Sequence, residues 1–153
     1  VANHALAKTI AFLVSGRVRA AYDSTEIAAV SGLMRRMPRS GVLFLAAMLA
    51  LVGLPPFGLF VSEVMILTAC FKQGFAAIGG ATLVLLVIAF AGLLRGAHAI
   101  LYGTPPPEAK EEAQGWRAVL PGAAALVLLL LTGLAWPPGL EDALNRVAAI
   151  VVP

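Results

Sequence analysis

The sequence predicts an all-α fold, a multi-pass transmembrane helix bundle in which one helix is discontinuous. Three observations carry this expectation. Hydrophobic residues fill 60% of the 153 positions and charged ones only 12%, against roughly 45–50% apolar and about 25% charged in soluble domains. Apolar runs recur at close to the ~20 residues that a helix needs to cross a ~30 Å hydrocarbon core. One of these runs is interrupted by Gly53, Leu54, Pro55, Pro56, Phe57 and Gly58 in succession.

The first span is expected over residues 1–18, apolar apart from Asn3, His4, Lys8 and small hydroxyls, and closed by Arg17 and Arg19. Residues 20–39 are polar, with Asp23, Glu26, Arg35, Arg36 and Arg39, and 25–37 are expected to form a short surface helix ended by Pro38 and Gly41. The second span, 41–71, has too many residues for one straight crossing and is expected to break at 53–58. Its prolines remove backbone donors and its glycines permit bends. In a bilayer such a break survives only where protein or a wet cavity satisfies the freed groups, and transporters place ion sites there. The alternative is two short helices joined by an interfacial turn, although residues 41–52 would span only ~18 Å.

Lys72, Gln73 and Gly74 turn the chain into a third span, 75–101, whose Gly92 and Gly96 form a small-xxx-small pair suited to close helix packing. A solvated loop at 102–114 leads to a fourth span at 117–136, between Trp116 and Trp136. Their separation corresponds to ~30 Å of helix, the distance between two interfacial aromatic belts. The bundle thus occupies residues 1–136, and 137–153 read as an amphipathic tail with Leu140, Ala143, Leu144, Val147, Ala148 and Val151 at helical spacing.

Charge placement sets the orientation and excludes some functions. Five arginines lie between the first two spans and only Lys72 between the second and third, so the first loop is expected on the cytoplasmic side. Arg95, Lys110 and Arg117 agree if the broken segment crosses once. The net charge of +3 does not mark a nucleic-acid binder, because the basic residues fall in loops rather than along one face. Cys70 is the single cysteine, so this chain alone builds no disulfide, CxxC pair or iron–sulfur cluster. No nucleotide loop or metal motif is legible, and no cofactor is expected in this chain. The sequence opens at Val1 without the segments of a signal peptide, and reads as an internal fragment or a processed chain.

Ionisable residues within apolar spans are functional candidates, since a charge at the bilayer centre costs at least ~2.5 kcal/mol on insertion scales. Glu63, with Ser62 before it, falls at the expected start of the second half-helix. There, desolvation and the helix N-terminus act in opposite senses on a carboxyl group, a balance suited to proton exchange. The competing reading places Glu63 at an interface or in a cap made with Ser62. His4 and Lys8 are four residues apart, hence one turn apart on one helix face, an arrangement suited to proton relay. Alternatively, Lys8 snorkels to the surface. His98, beside Arg95 at the end of the third span, reads as interfacial, with a role as a proton-uptake or release group the alternative.

Three segments, NHALAKTIAFLVSGRV, GLMRRMPRSGVLFLAAMLALVGLPPFGLFVSEVMIL and LRGAHAILYGTPPPE, resemble the antiporter-like membrane subunits shared by complex I, Mrp cation/proton antiporters and group 4 nickel–iron hydrogenases. The stretches YDSTEIAAVSGLMRRMP and PPFGLFVSE are most similar to hydrogenase-4 component F and the formate hydrogenlyase branch. The resemblance implies a C-terminal portion of such a subunit, one that moves protons while partner proteins perform the redox chemistry. By position it assigns Lys8 and His4 to a buried relay and Glu63 to the terminal ionisable group beside the break, where some complex I members carry lysine. It implies other membrane-arm subunits and hydrogenase or iron–sulfur proteins as partners, and a multi-pass location in the inner (plasma) membrane. Family members carry many more helices, so the first half-channel would come from elsewhere. A Mrp-type cation/proton antiporter and a purely structural membrane anchor are the alternative functions.

Overall fold

The computed structural model describes residues 2–24, 26–110 and 115–134, and these form helices and connections without a strand. Six α-helices follow in order among the described residues: α1 (Ala2–Tyr22), α2 (Leu33–Arg36), α3 (Pro38–Leu51), α4 (Gly58–Lys72), α5 (Ala76–Tyr102) and α6 (Leu120–Leu134). The last is preceded by a 3-10 turn at Trp116–Ala118. The expected tail at 137–153 and Trp136 lie outside the described residues.

The core is a seam between α1, α3 and α6. Ala7, Ile10 and Val14 of α1, Leu43, Ala47 and Ala50 of α3, and Val119, Ala125 and Leu129 around α6 are buried against one another, with Phe57 closing the group. Spacings of three and four place each set on one helix face. The many alanines let the backbones approach, the packing that serves helices lacking a hydrophobic drive toward one another in lipid. Gly122 extends the logic, since a Cβ there would stand 2.8 Å from Leu43 Cδ1. Gly92 and Gly96, expected to mediate a close contact, instead face open space among the described residues. Within the seam the close approach falls on Gly122, whereas Gly92 and Gly96 have no atom within 4 Å of where a Cβ would stand.

A second cluster joins Leu33 and Met37 to Ala97 and Leu101 of α5, with Phe44, Leu45 and Met48 of α3 against it. At its other end α5 lies on α4, where Gly79 faces Phe71 and Cys70. So α5, with 27 residues and a length of ~40 Å, runs back along α4 and then along α3. The 14 residues of α3 and 15 of α4 give ~21 and ~22 Å. Their summed length is close to that of α5, and the break falls near the middle of that length. Beyond the break α4 and α5 form a hairpin with Met65, Ile66, Leu85 and Ile88 exposed.

At the charged end the described residues 26–37 do not form the surface helix expected over 25–37. A 3-10 turn at Ile27–Ala29 and the four-residue α2 replace it, separated by extended residues. Gly32 sits at φ +69°, a left-handed conformation that interrupts a helix. A Cβ on it would strike Pro105 and the Gly103 carbonyl. The segment is drawn onto the loop after α5: Ser31 Oγ donates to the Thr104 carbonyl, the Tyr22 hydroxyl donates to the Ser31 carbonyl at 2.8 Å, and Lys110 N–H donates to the Ala21 carbonyl at 3.1 Å.

Tyr22 lies beyond Arg19, outside the apolar stretch of α1. Burial pushes its phenol above the ordinary value of 10.0, and the Arg36 guanidinium opposes this in smaller measure. The fold therefore keeps this proton longer than the unfolded chain does. Its stabilisation is complete below the ordinary value and is lost as pH rises through the raised one. Tyr22→Phe is expected to cost about 1 kcal/mol at neutral pH and to flatten the alkaline part of the stability profile. Denaturation in detergent at a series of pH values measures both.

Candidate functional site

The break is built by two local devices. First, α3 stops in a Schellman motif: Leu54 N–H reaches back to the Leu49 carbonyl at 3.1 Å and Gly53 N–H to that of Ala50 at 3.2 Å. Gly53, at φ +75°, supplies the left-handed residue that this motif requires. Second, Phe57 holds extended backbone at φ −80°, ψ 145° and opens α4 with no side-chain cap. Its N–H donates to the Leu54 carbonyl at 3.0 Å, and its ring, 6% exposed, plugs the bottom of the seam. Pro55 and Pro56 lie at the surface of the described structure.

Glu63 faces this break. Side chains on a helix lean toward its N-terminus, and the Glu63 side chain does so far enough that its carboxyl lies over Gly53, where a methyl group would fall on it. Gly53 is therefore glycine for its left-handed dihedral, and any side chain there would also push the Glu63 carboxyl aside. Ser62 does not cap α4; its hydroxyl donates to the Gly58 carbonyl one turn back, at 3.4 Å. Glu63 thus sits close to the middle of the α3–α4 traverse, and the arrangement places a titratable carboxyl against irregular backbone.

The other flank of the break is polar as well. Asn3 continues the α1 seam of Ala7, Ile10 and Val14 toward the break, and its amide covers Gly58 so closely that a Cβ there would overlap Nδ2. Thr132 Oγ1 donates to Asn3 Oδ1 at 2.6 Å. Gly133 abuts the Pro56 carbonyl, leaving no room for a side chain.

The sequence candidates are distributed unevenly around this centre. A Cβ on Gly53 would fall on the Glu63 carboxyl, and one on Gly58 on the Asn3 amide. His4 and Lys8 share one face of α1, as their spacing requires, but that face is exposed and lies away from the buried Ala7 and Ile10. Among the described residues no hydrogen bond or ion pair joins either of them to Glu63. His98 is exposed near the charged end, its ring centroid 5.2 Å from that of Tyr102, well along α5 from the break. In the sequence Asn3 is only a polar exception in the first span, and Thr132 carries no signal beyond a hydroxyl in an apolar run.

Gly53→Ala is expected to destabilise the fold by about 1–2 kcal/mol from its left-handed dihedral alone, with a further cost from displacing Glu63. A double-mutant cycle with Glu63→Ala, followed by unfolding in micelles, separates the two contributions: removing the carboxyl should relieve the second and leave the first.

Residues 1–90, which include the break, His4, Lys8 and Glu63, match the family described as NADH:quinone oxidoreductase/Mrp antiporter, TM. The chain is similar to the NADH-quinone oxidoreductase subunit N of Desulforudis audaxviator, with 30% identity over 143 residues, 88% of this chain and 28% of that protein. It is 34% identical over 70 residues to a hydrogenase-4 component F homolog of Methylacidiphilum infernorum, covering 46% of this chain and 15% of the relative. Its fold is similar to a chain of the Mrp complex from a Dietzia species, with a TM-score of 0.71 and 22% identity, over 86% of this chain and 33% of that one. The chain therefore spans less than a third of the length of these curated relatives. With its helical architecture, its broken traverse and a family match over more than half its length, this chain belongs to the membrane-embedded NADH:quinone oxidoreductase/Mrp antiporter family.

Proposed function

We propose that the chain moves protons as part of a non-redox membrane subunit in a redox-driven complex of the group 4 hydrogenase or complex I-related kind. Glu63 is the group that takes up and releases the proton. The observation that carries this reading is the Glu63 carboxyl packed on Gly53 within a helix break near mid-traverse. Carboxyl groups in such surroundings exchange protons when neighbouring charges or solvation change, and broken helices are where transporters hold their ions. Lys8 and His4 extend the path along the exposed face of α1, toward whatever protein covers that face. His98 serves proton uptake or release nearer the charged end.

On this reading the protein crosses the plasma membrane several times, with other membrane-arm subunits beside it and iron–sulfur or hydrogenase subunits as the source of free energy. The likeness to a hydrogenase-4 component F homolog favours the hydrogenase branch, while the subunit N relative is compatible with a complex I-related one. A second reading, a cation/proton antiporter of the Mrp kind, draws on the shared fold with a chain of a Mrp complex. It requires exchange driven by added Na⁺ or K⁺ without hydrogen, formate or quinone.

Glu63→Gln keeps the shape and hydrogen-bonding capacity of the side chain but cannot titrate. In native membranes it is expected to abolish coupled proton transfer while leaving assembly intact. Proton uptake followed with a pH-sensitive dye, under redox drive and separately under a cation gradient, tests both readings. Full proton transfer in the variant would leave the chain a structural anchor.

A further inference from the structure

We infer that Asn3 and Thr132 are positioning residues for Glu63, a polar joint that fixes the helix break at its α4 end while the carboxyl packs on its α3 end. This rests on the proton-exchange reading of Glu63. The joint links residues 129 apart in sequence, through a 2.6 Å hydrogen bond from Thr132 Oγ1 to Asn3 Oδ1.

Three features separate this pair from ordinary surface polarity. Both residues continue buried seams, Asn3 after Ala7, Ile10 and Val14 on α1 and Thr132 after Gly122, Ala125 and Leu129 on α6. A polar side chain at such a position is costly unless it is paired. The hydroxyl also has another option: Thr9 simply donates to the carbonyl one turn back, Ala5, at 2.9 Å. Thr132 has equivalent carbonyls at 3.0 Å on Leu128 and 3.1 Å on Leu129, yet lies nearest to the amide across the helix interface. Finally, the neighbours of the pair leave no slack. The Asn3 amide covers Gly58, and Gly133 abuts the Pro56 carbonyl.

The break is thereby held between two walls. At its α3 end the Glu63 carboxyl rests on Gly53; at its α4 end Asn3, Thr132 and Gly133 rest on Pro56 and Gly58. Loosening the second wall lets the irregular segment shift and changes the surroundings of the carboxyl without touching it. A hydrogen bond that served only as interhelical glue would affect stability and nothing else.

The test compares Thr132→Val, which keeps the shape and loses the hydroxyl, with Thr132→Ser, which keeps the hydroxyl. Both are assayed in the assembled native membranes beside Glu63→Gln. The readouts are the amount of assembled protein, the protons moved per turnover, and the rate at which a hydrophobic carbodiimide labels Glu63. Thr132→Val is expected to lower proton transfer and alter labelling by roughly three- to tenfold, the range that one interhelical hydrogen bond supports, at unchanged assembly. Thr132→Ser should restore both. If Thr132→Val does not accumulate, Asn3→Ser opens the same joint and is expected to change labelling in the same way. Parental transfer and labelling in these variants, with Glu63→Gln blocked, would overturn the positioning role and leave the proton reading standing. Full activity of Glu63→Gln would remove the proton reading and this inference with it.

Discussion

Backbone N–H and C=O groups have no partner in hydrocarbon, and that constraint governs this molecule. An unbroken helix satisfies them internally; a chain that interrupts a helix in mid-traverse must satisfy them some other way. Here the Schellman bonds of Leu54 and Gly53 satisfy part of the end of α3, and packed protein covers Gly53, Phe57 and Gly58, while Pro55 and Pro56 stay at the surface of the described structure. Phe57 seals the gap toward the seam. The alanines that draw α1, α3 and α6 together, and the glycines at 58 and 133 that let them touch the break, all serve this enclosure. The carboxyl of Glu63 is then not an isolated polar group in an apolar helix, because it shares its surroundings with the backbone groups that the break releases.

The charged end solves a different problem. Loops there have water available, so their conformation is set by a few specific bonds. Tyr22, Ser31 and Thr104 form a chain of contacts that ties the end of α1 to the start of α2 and to the loop after α5. Beside it lie the Arg36 guanidinium and the backbone of Lys110. One end of the bundle is consequently basic and stitched by side chains, while the centre of the traverse is nearly neutral and stitched by glycines.

What the sequence revealed and concealed divides along the same line. The all-helical class and the interruption were legible because their causes are local, in the apolar runs and in two prolines between two glycines. The failure of residues 25–37 to form a helix was not legible, since its cause is a docking partner, Pro105, far along the chain. The Gly92 and Gly96 pair misled for the converse reason: a spacing fit for close packing says nothing about whether a neighbour is there. The same holds for His4 and Lys8, whose shared face follows from spacing while its coverage depends on other elements. Asn3 and Thr132 were the hardest to see, because each is unremarkable until the two helices meet.

The unequal helices have a consequence for biosynthesis. Among the described residues α5 is the one helix both long and apolar enough to cross a membrane by itself. Neither α3 nor α4 has that length, and α1 carries Lys8 and Arg17. A translocon that judges segments by the free energy of lateral release would accept α5 readily and hesitate over the others. The broken crossing precedes α5 in the chain, so it has to wait for a later segment before its own membrane residence becomes favourable. By length and composition alone, then, the interrupted helix depends for its membrane residence on the company of its successor.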